Sequence, residues 1–330
     1  MLEGETFLKA AVYRGPRTIK VAEVPEPCVS GRQVLVKFKA GSICGTDLHF
    51  YRGEWRWMKR GRIIGHDACG VRADNGERVV MVPLVYCGRC YYCLRGLSTY
   101  CVRGKFMGLT SDGFFAESIA MRPRNLVPVP GGVSDEEAAV VEPVALALHV
   151  MDALKPNVGD WATIIGQGAI GLVMTQIARM KGCRVVAIDL LDYRLRLAEK
   201  YGAEFCINAA EEDAVKRVRE ITRRGSDVVV EAAGTEQTVQ QTPFLVRKAG
   251  KVALVGESKG LLNLEDADEA VFFTTYISPV EYPLAVQLIA EKRVDVKGLV
   301  THKFGLADFE CALETADNPA EKPLKVVVTA

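Results

Sequence analysis

The chain has 330 residues, of which 49% are hydrophobic, and its 42 lysines and arginines nearly balance its 41 aspartates and glutamates. A chain of this length can bury a full core and divides more naturally into two domains than one. The charge balance provides no global basic field that would draw the protein to nucleic acid or to an anionic membrane, so we expect a small-molecule partner.

The first six residues contain acids and no basic segment followed by an apolar stretch, so they are not typical of a secretory signal. No apolar run approaches the roughly 20 residues that span a bilayer. We therefore expect a cytoplasmic protein with no membrane partner. In that compartment, the ten cysteines indicate metal or catalytic use before they indicate disulfides.

The first 130 or so residues contain short alternating or apolar runs that are interrupted by Gly and Pro, such as residues 33–39 and 78–83. This pattern predicts an antiparallel β domain. Asn75-Gly76 stands between strand-like flanks and predicts a tight hairpin turn.

From Ser134 onwards the pattern changes. Ser134 is a candidate helix N-cap, and the three acids that follow it suit a helix N-terminus. Short apolar segments at residues 161–165, 184–188, 227–230 and 251–255 then alternate with helix-length segments, which is typical of a parallel doubly wound sheet. We expect a last helix at residues 283–291 and a final strand at residues 325–329 to return to the first domain.

A glycine-rich turn follows the first of these strands and opens the next predicted helix. In the dinucleotide-binding fingerprint, the first glycine makes the turn, the second lets the backbone approach the pyrophosphate, and the third lets the helix pack closely on the strand. The alternative is an ordinary glycine-rich turn. The candidate cofactor residues here are Gly166, Gly168, Ala169, Ile170 and Gly171.

The next predicted strand ends at Asp189, about 20 residues on, where a carboxylate can accept hydrogen bonds from the ribose hydroxyls of a dinucleotide. The same carboxylate would repel a 2′-phosphate, so the sequence favours NAD over NADP. Arg194 could soften that repulsion or stack on the adenine, or it could be a solvated helix residue.

Four cysteines lie close together at Cys87, Cys90, Cys93 and Cys101. Four thiolates at short spacing can close a tetrahedral structural zinc that leaves no open position. Disulfides or free thiols are one alternative, and a nucleic-acid-binding zinc module is another, which the absence of a wider basic surface disfavours.

A second, dispersed set contains Cys44, Thr46, His49, the pair His66-Asp67, and Glu142. Taken singly, each has a structural reading. Cys44 could be a buried thiol, His66 a core histidine, Glu142 a surface acid, Thr46 a helix cap and His49 part of a pocket wall.

Taken together, the motifs resemble those of the zinc-containing medium-chain dehydrogenases, a family that includes sorbitol, threonine and simple alcohol dehydrogenases. The likeness runs nearly end to end, from Cys44-Gly-Thr-Asp-x-His49 through Gly-His66-acid, the four-cysteine segment, Glu142-Pro143 and the glycine fingerprint to Val300-Thr-His-Lys-Phe304. It implies an α/β protein with a GroES-like antiparallel β catalytic domain (residues 1–148 and 281–330, with a structural zinc lobe at 87–101) and a Rossmann NAD-binding domain with a doubly wound parallel sheet (residues 149–280).

The resemblance also implies the roles of the site residues. Cys44 and His66 would be ligands of a catalytic zinc, completed by a carboxylate from Asp67 or Glu142, which makes two zinc ions per chain with the structural one. Thr46 and His49 would relay the proton that leaves when hydride passes from a secondary alcohol to NAD. Relatives are commonly dimers or tetramers, so we expect a homo-oligomer.

The sequence departs from the family pattern at two positions, and these bear on the metal and on the substrate. Family members usually carry Glu where Asp67 stands, and aspartate is shorter by one methylene, about 1.5 Å of reach. The shorter reach favours Glu142 over Asp67 as the third ligand of the catalytic zinc. Simple alcohol dehydrogenases typically carry Cys where Glu142 stands, so the chain is more similar to the sorbitol and threonine branches. We expect a polyol, sugar or cyclitol first, threonine second and a simple secondary alcohol third. A catalytically silent protein that binds NAD and zinc is the remaining alternative.

Overall fold

The structure is a computed structural model that describes residues 6–55, 57–274 and 277–330. Most of the N-terminal segment that bears on secretion, residues 1–5, lies outside this range. The chain divides into two compact units, Met1–Ala145 with Ile277–Ala330, and Leu146–Tyr276. Among the helices described, each lacks the length and apolar character needed to cross a bilayer.

The described residues form seventeen strands. In chain order these are β1 (Phe7–Gly15), β2 (Thr18–Pro25), β3 (Val34–Ser42), β4 (Ala68–Arg72), β5 (Arg78–Met81), β6 (Leu84–Val85), β7 (Lys105–Phe106), β8 (Ser118–Met121), β9 (Leu126–Pro128), β10 (Trp161–Ile165), β11 (Arg184–Asp189), β12 (Phe205–Asn208), β13 (Ser226–Glu231), β14 (Val246–Leu254), β15 (Val271–Thr274), β16 (Val300–Gly305) and β17 (Lys325–Thr329).

The described residues also form nine α-helices. They are α1 (Gly45–Arg52), α2 (Asp135–Ala138), α3 (Val141–Leu154), α4 (Ala169–Met180), α5 (Asp192–Lys200), α6 (Ala214–Thr222), α7 (Glu236–Leu245), α8 (Tyr282–Ala290) and α9 (Phe309–Asp317).

The main sheet of the first unit has the order β16-β17-β3-β4-β5-β9, with β8 also paired to β3. All its pairs are antiparallel except β16 with β17. Its core is rich in aromatic side chains such as Phe38, Phe114 and Phe115. The antiparallel β domain predicted from the alternating apolar runs is therefore confirmed.

The hairpin predicted at Asn75-Gly76 joins β4 to β5, but it is wider than a two-residue turn. The N–H of Arg72 donates to the carbonyl of Glu77, which leaves a four-residue loop of residues 73–76. Gly76 has φ of +75°, the left-handed conformation that glycine adopts without strain. The prediction of a hairpin is confirmed, but the prediction of a tight turn is wrong.

The second unit contains a six-stranded parallel sheet of order β12-β11-β10-β13-β14-β15. Numbered within the unit, this is the 3-2-1-4-5-6 order of a doubly wound dinucleotide-binding fold. The strands are nearly all apolar because helices cover both faces of such a sheet, and β10 is buried at every residue. The doubly wound sheet predicted from the sequence is confirmed.

Helix α2 begins as its sequence predicts. The Ser134 hydroxyl accepts from the N–H of Glu137, and the Glu137 carboxylate accepts in return from the N–H of Ser134. This capping box satisfies donors that the first helical turn would otherwise leave unpaired.

Candidate active site

The four cysteines of the segment 87–101 converge. Their sulfurs all lie within 4.8 Å of one another, and three of the pairs are separated by 3.5 Å (Cys90–Cys93) and 3.9 Å (Cys87–Cys93 and Cys90–Cys101). A tetrahedral zinc with bonds of about 2.3 Å requires S–S separations of about 3.8 Å. The sulfurs therefore fit a zinc ion, and none of the four cysteines is in a disulfide.

Backbone amides around the sulfurs favour thiolates. The N–H of Cys87 donates to the sulfur of Cys101 at 3.2 Å. The N–H groups of Cys93 and Val102 lower the pKa of Cys90 to about 6, whereas burial raises the pKa of Cys93 to about 11. Zinc binds thiolates, so the lowered pKa of Cys90 suits a ligand.

A second group of metal-ligand side chains forms where strands β3 and β4 of the first unit lie side by side. Strand β3 ends at Ser42, and Gly41 pairs with Ala68 at the start of β4, so the segment after β3 lies beside the segment before β4. This register brings Cys44 next to His66 and Asp67, and one donor atom from each lies within 4.8 Å of the others. Three residues from two separate stretches of sequence thus form one candidate metal site.

Asp67 is fixed through one of its two oxygens. Its Oδ2 accepts from the Ser42 hydroxyl at 3.1 Å and from the Lys325 ammonium at 3.0 Å. Its Oδ1 is buried, has no hydrogen-bond partner among the described residues, and lies 3.7 Å from Nε2 of His66. A buried carboxylate oxygen without a partner beside a cysteine and a histidine fits a metal ligand.

The electrostatics of this group also favour a cation. Burial alone would lower the pKa of His66, but the negative charges of Asp67 and Cys44 outweigh it and raise the pKa well above its usual value. An environment that favours a protonated imidazole equally favours a bound metal ion, with the imidazole neutral.

Glu142, at the start of α3, is buried near the same charges. Burial first, and then the charge of Asp67, raise its pKa to about 8. Glu142 is not among the three side chains whose donor atoms lie within 4.8 Å of one another. Tyr282, the first residue of α8, is fully buried, and its hydroxyl has no hydrogen-bond partner within the part of the chain that the structure describes. The charge of Glu142 contributes to the raised pKa of Tyr282, after burial.

Helix α1 carries both residues of the expected proton relay. Cys44 is its N-cap, and its N–H donates to the carboxylate of Asp47. The Thr46 hydroxyl lies 3.8 Å from the sulfur of Cys44. At the other end, Nδ1 of His49 contacts the Glu54 carboxylate, and the imidazole stacks on the indole of Trp55 with 4.8 Å between ring centroids.

The glycine-rich turn lies between β10 and α4. Gly166 has φ of +86°, and a Cβ there would be 2.8 Å from the backbone nitrogen of Ala233. A Cβ on Gly171 would lie 1.8 Å from the carbonyl oxygen of Gly166, so only glycine lets the helix approach the strand this closely. A Cβ on Gly168, the N-cap of α4, would meet no atom of the described residues within 4 Å, its own chain neighbours and helix backbone apart. The open space at Gly168 is where the fingerprint requires room for a pyrophosphate. Ala169 and Ile170 form the first turn of α4.

Asp189 ends β11, the neighbour of β10. One carboxylate oxygen accepts from the N–H groups of Leu190 and Leu191, and the other accepts from the N–H of Gln167 in the glycine-rich turn. Nη1 of Arg194 lies 3.7 Å from Asp189 Oδ2. The carboxylate thus joins the turn to the end of β11.

Sequence reasoning missed Ser42, Lys325, Glu54 and Tyr282. Lys325 is separated by 258 residues from Asp67, and the only signal for it was its place in the apolar final strand. Glu54 and Trp55 follow the Cys44-to-His49 motif closely. Their proximity to His49 in the chain was the sequence feature that could have indicated their contact with it.

Comparisons with known proteins agree with this architecture. Residues 30–131 match the family model for the alcohol dehydrogenase GroES-like domain, and residues 169–317 match that for zinc-binding dehydrogenases. The chain is 34% identical to a sorbitol dehydrogenase of Bacillus subtilis over 97% of both chains. It is 30% identical to an L-threonine 3-dehydrogenase of the same organism over 89% of this chain and 90% of the relative.

Solved structures give the same result. An oxidoreductase of unknown specificity from Escherichia coli superposes with a TM-score of 0.92 at 29% identity, covering 98% of this chain and 99% of that one. An E. coli alcohol dehydrogenase complexed with NADH has a TM-score of 0.91 at 26% identity, with coverage of 99% and 100%. A zinc-binding dehydrogenase from Sinorhizobium meliloti bound to NADP has a TM-score of 0.90 at 28% identity, with the same coverage. The chain belongs to the zinc-containing medium-chain alcohol dehydrogenase family.

Proposed function

We propose that the protein oxidises a secondary alcohol to its ketone with NAD, and that the substrate is a polyol, sugar or cyclitol. The observation that carries this proposal is the group of Cys44, His66 and Asp67. Three protein ligands that leave a position for substrate are what a catalytic zinc needs. When bound, zinc acts as a Lewis acid that lowers the pKa of the substrate hydroxyl, and NAD accepts the hydride.

Within this proposal, Cys44 and His66 hold the metal and Asp67 is the third ligand. The free Oδ1 of Asp67 supports this choice over Glu142, because Lys325 and Ser42 occupy only Oδ2. The cysteines 87, 90, 93 and 101 hold a second, structural zinc. Thr46 and His49 pass the substrate proton towards solvent.

NAD is the proposed cofactor, bound at the glycine-rich turn of α4. The helix N-terminus at Gly168 offers unpaired N–H groups to a pyrophosphate. The Asp189 carboxylate would repel the 2′-phosphate of NADP, although Arg194 lies 3.7 Å from it. The rates with NAD and NADP measure this preference directly, and a higher kcat/KM with NADP would contradict it.

The polyol assignment is supported by Glu142, which replaces the cysteine of simple alcohol dehydrogenases, and by the 34% identity to a sorbitol dehydrogenase. Threonine is the second candidate, because an L-threonine 3-dehydrogenase is 30% identical over most of the chain. A screen of NAD reduction with polyols, sugars, cyclitols, threonine and secondary alcohols distinguishes them.

Metal analysis of one variant tests the catalytic site. We expect two zinc ions per chain, and Cys44→Ser should lose one zinc and all turnover while it still binds NAD. The matched control is Cys28→Ser, since Cys28 is exposed and lies outside both groups of ligands. Full turnover in Cys44→Ser would refute the assignment of Cys44 to a catalytic zinc. A single zinc in the unaltered protein, confined to the four-cysteine segment, would favour a catalytically silent protein.

A further inference from the structure

The end of helix α1 is built around His49. Gly53 ends the helix in the left-handed conformation, with φ of +77°, and its N–H donates to the carbonyl groups of His49 and Phe50. The N–H groups of Glu54 and Trp55 also donate to the His49 carbonyl, at 3.0 and 3.4 Å. The chain therefore folds back over the last turn of α1, and the two residues after the cap are fixed next to the imidazole.

Two side chains from this returning segment restrict the imidazole. The Glu54 carboxylate contacts Nδ1 of His49, and the indole of Trp55 stacks on one face of the ring at an interplanar angle of 15°. Trp55 is itself supported by Phe50, which is buried in the core of the first unit, with 5.3 Å between ring centroids. Trp55 thus contacts one face of the imidazole, and Glu54 contacts its edge at Nδ1.

The contact with Glu54 determines which ring nitrogen can accept a proton. An ionised carboxylate can only accept hydrogen bonds, so the neutral imidazole must carry its hydrogen on Nδ1. Nε2 then has a free lone pair. The side chain of His49 is 23% exposed and that of Glu54 is 42% exposed, so the pair is in contact with water.

We propose that Glu54 is a positioning residue that holds His49 in the Nδ1–H tautomer and presents Nε2 as the proton acceptor. This inference rests on the proposed dehydrogenase function. Oxidation of the alcohol breaks its O–H and C–H bonds. The hydride reduces NAD, the proton binds Nε2 of His49 and then leaves to water, and Glu54 keeps its hydrogen bond to Nδ1 throughout.

The test combines kinetics with NMR of the imidazole nitrogens in the zinc-loaded protein. The chain has only four histidines, so ¹⁵N-histidine labelling gives few signals, and His49→Gln identifies the signal of His49. We expect the Nδ1–H pattern in the unaltered protein. In Glu54→Gln the amide can donate as well as accept, so both tautomers should be present, and kcat should fall roughly 10- to 100-fold with KM nearly unchanged.

Two further variants separate a positioning role from a structural one. Glu54→Asp keeps the carboxylate and should retain more activity than Glu54→Gln. Glu77→Gln is the matched control, because Glu77 is a similarly exposed glutamate of the same unit that pairs with Arg72 rather than with a histidine. It should leave both the His49 signal and kcat unchanged.

The outcomes distinguish the two proposals. If the unaltered protein reduces NAD but Glu54→Gln keeps the same tautomer and the same kcat, the positioning role is wrong and the dehydrogenase stands. A fall in kcat that is accompanied by loss of zinc also overturns the positioning role. If no alcohol supports NAD reduction by the unaltered protein, the proposed function fails and the relay with it.

Discussion

Replacing Lys325 with methionine should lower the free energy of unfolding by about 3–5 kcal/mol. The ammonium lies 3.0 Å from Asp67 Oδ2, and the side chains of Lys325 and Asp67 are 5% and 0% exposed. At that distance, an effective dielectric constant of about 20 gives an attraction of about 5 kcal/mol. Methionine has a similar volume, so the loss comes from a buried carboxylate that retains only the Ser42 hydroxyl, and not from a cavity.

Urea unfolding of the protein after zinc removal, followed by circular dichroism, measures this cost, because no metal ion then binds the Asp67 carboxylate. The matched control is Lys303→Met in the neighbouring strand β16, where an ammonium that is 57% exposed pairs with Glu136, and we expect a cost of about 0–1 kcal/mol. The double variant Lys325→Met with Asp67→Asn should recover part of the loss, because it removes the unpaired charge. Equal costs for the two lysine variants would refute the argument.

Two other predictions concern the second unit. Gly171→Ala should lower the free energy of unfolding by about 1–3 kcal/mol and abolish NAD binding, because its Cβ would lie 1.8 Å from a carbonyl oxygen. Gly168→Ala should fold normally and only bind NAD more weakly. Thermal unfolding and NAD titration compare the two variants, and equal unfolding temperatures would contradict the packing argument. Burial raises the pKa of Asp227, but hydrogen bonds from Arg247 and the N–H of Trp161 outweigh it and lower the pKa overall. The stability that Asp227 contributes is therefore complete above its unfolded pKa of about 3.9 and is lost as the pH falls through the lower folded value. The difference in urea unfolding between the unaltered protein and Asp227→Asn should shrink below about pH 4, and a constant difference would contradict this reasoning.

Local patterns were sufficient to predict most of the architecture. The strand predicted at residues 161–165 coincides with β10, and the final predicted strand coincides with β17. The predicted ends of strands were less accurate where the backbone pairing extends beyond the run of apolar side chains. Strand β14 begins at Val246, five residues before the predicted start at residue 251, because the charged and glycine-containing segment that opens it gives no apolar signal.

The candidate metal site was predictable only in part. Cys44 and His66 carry a recognisable motif, but the partners of Asp67 depend on strand register, which a single sequence does not specify. The reach argument from the shorter aspartate favoured Glu142. It omitted Lys325 and Ser42, which hold the Asp67 carboxylate with one oxygen free beside His66.

Strand β17 has a consequence for how the protein is made. It lies between β16 and β3 in the sheet and carries Lys325, which lies within hydrogen-bonding distance of both Ser42 and Asp67. A nascent chain therefore cannot complete the surroundings of Asp67 until Lys325 has left the ribosome. Truncation of the chain before Lys325 should thus impair a site whose proposed ligand Asp67 lies 258 residues earlier.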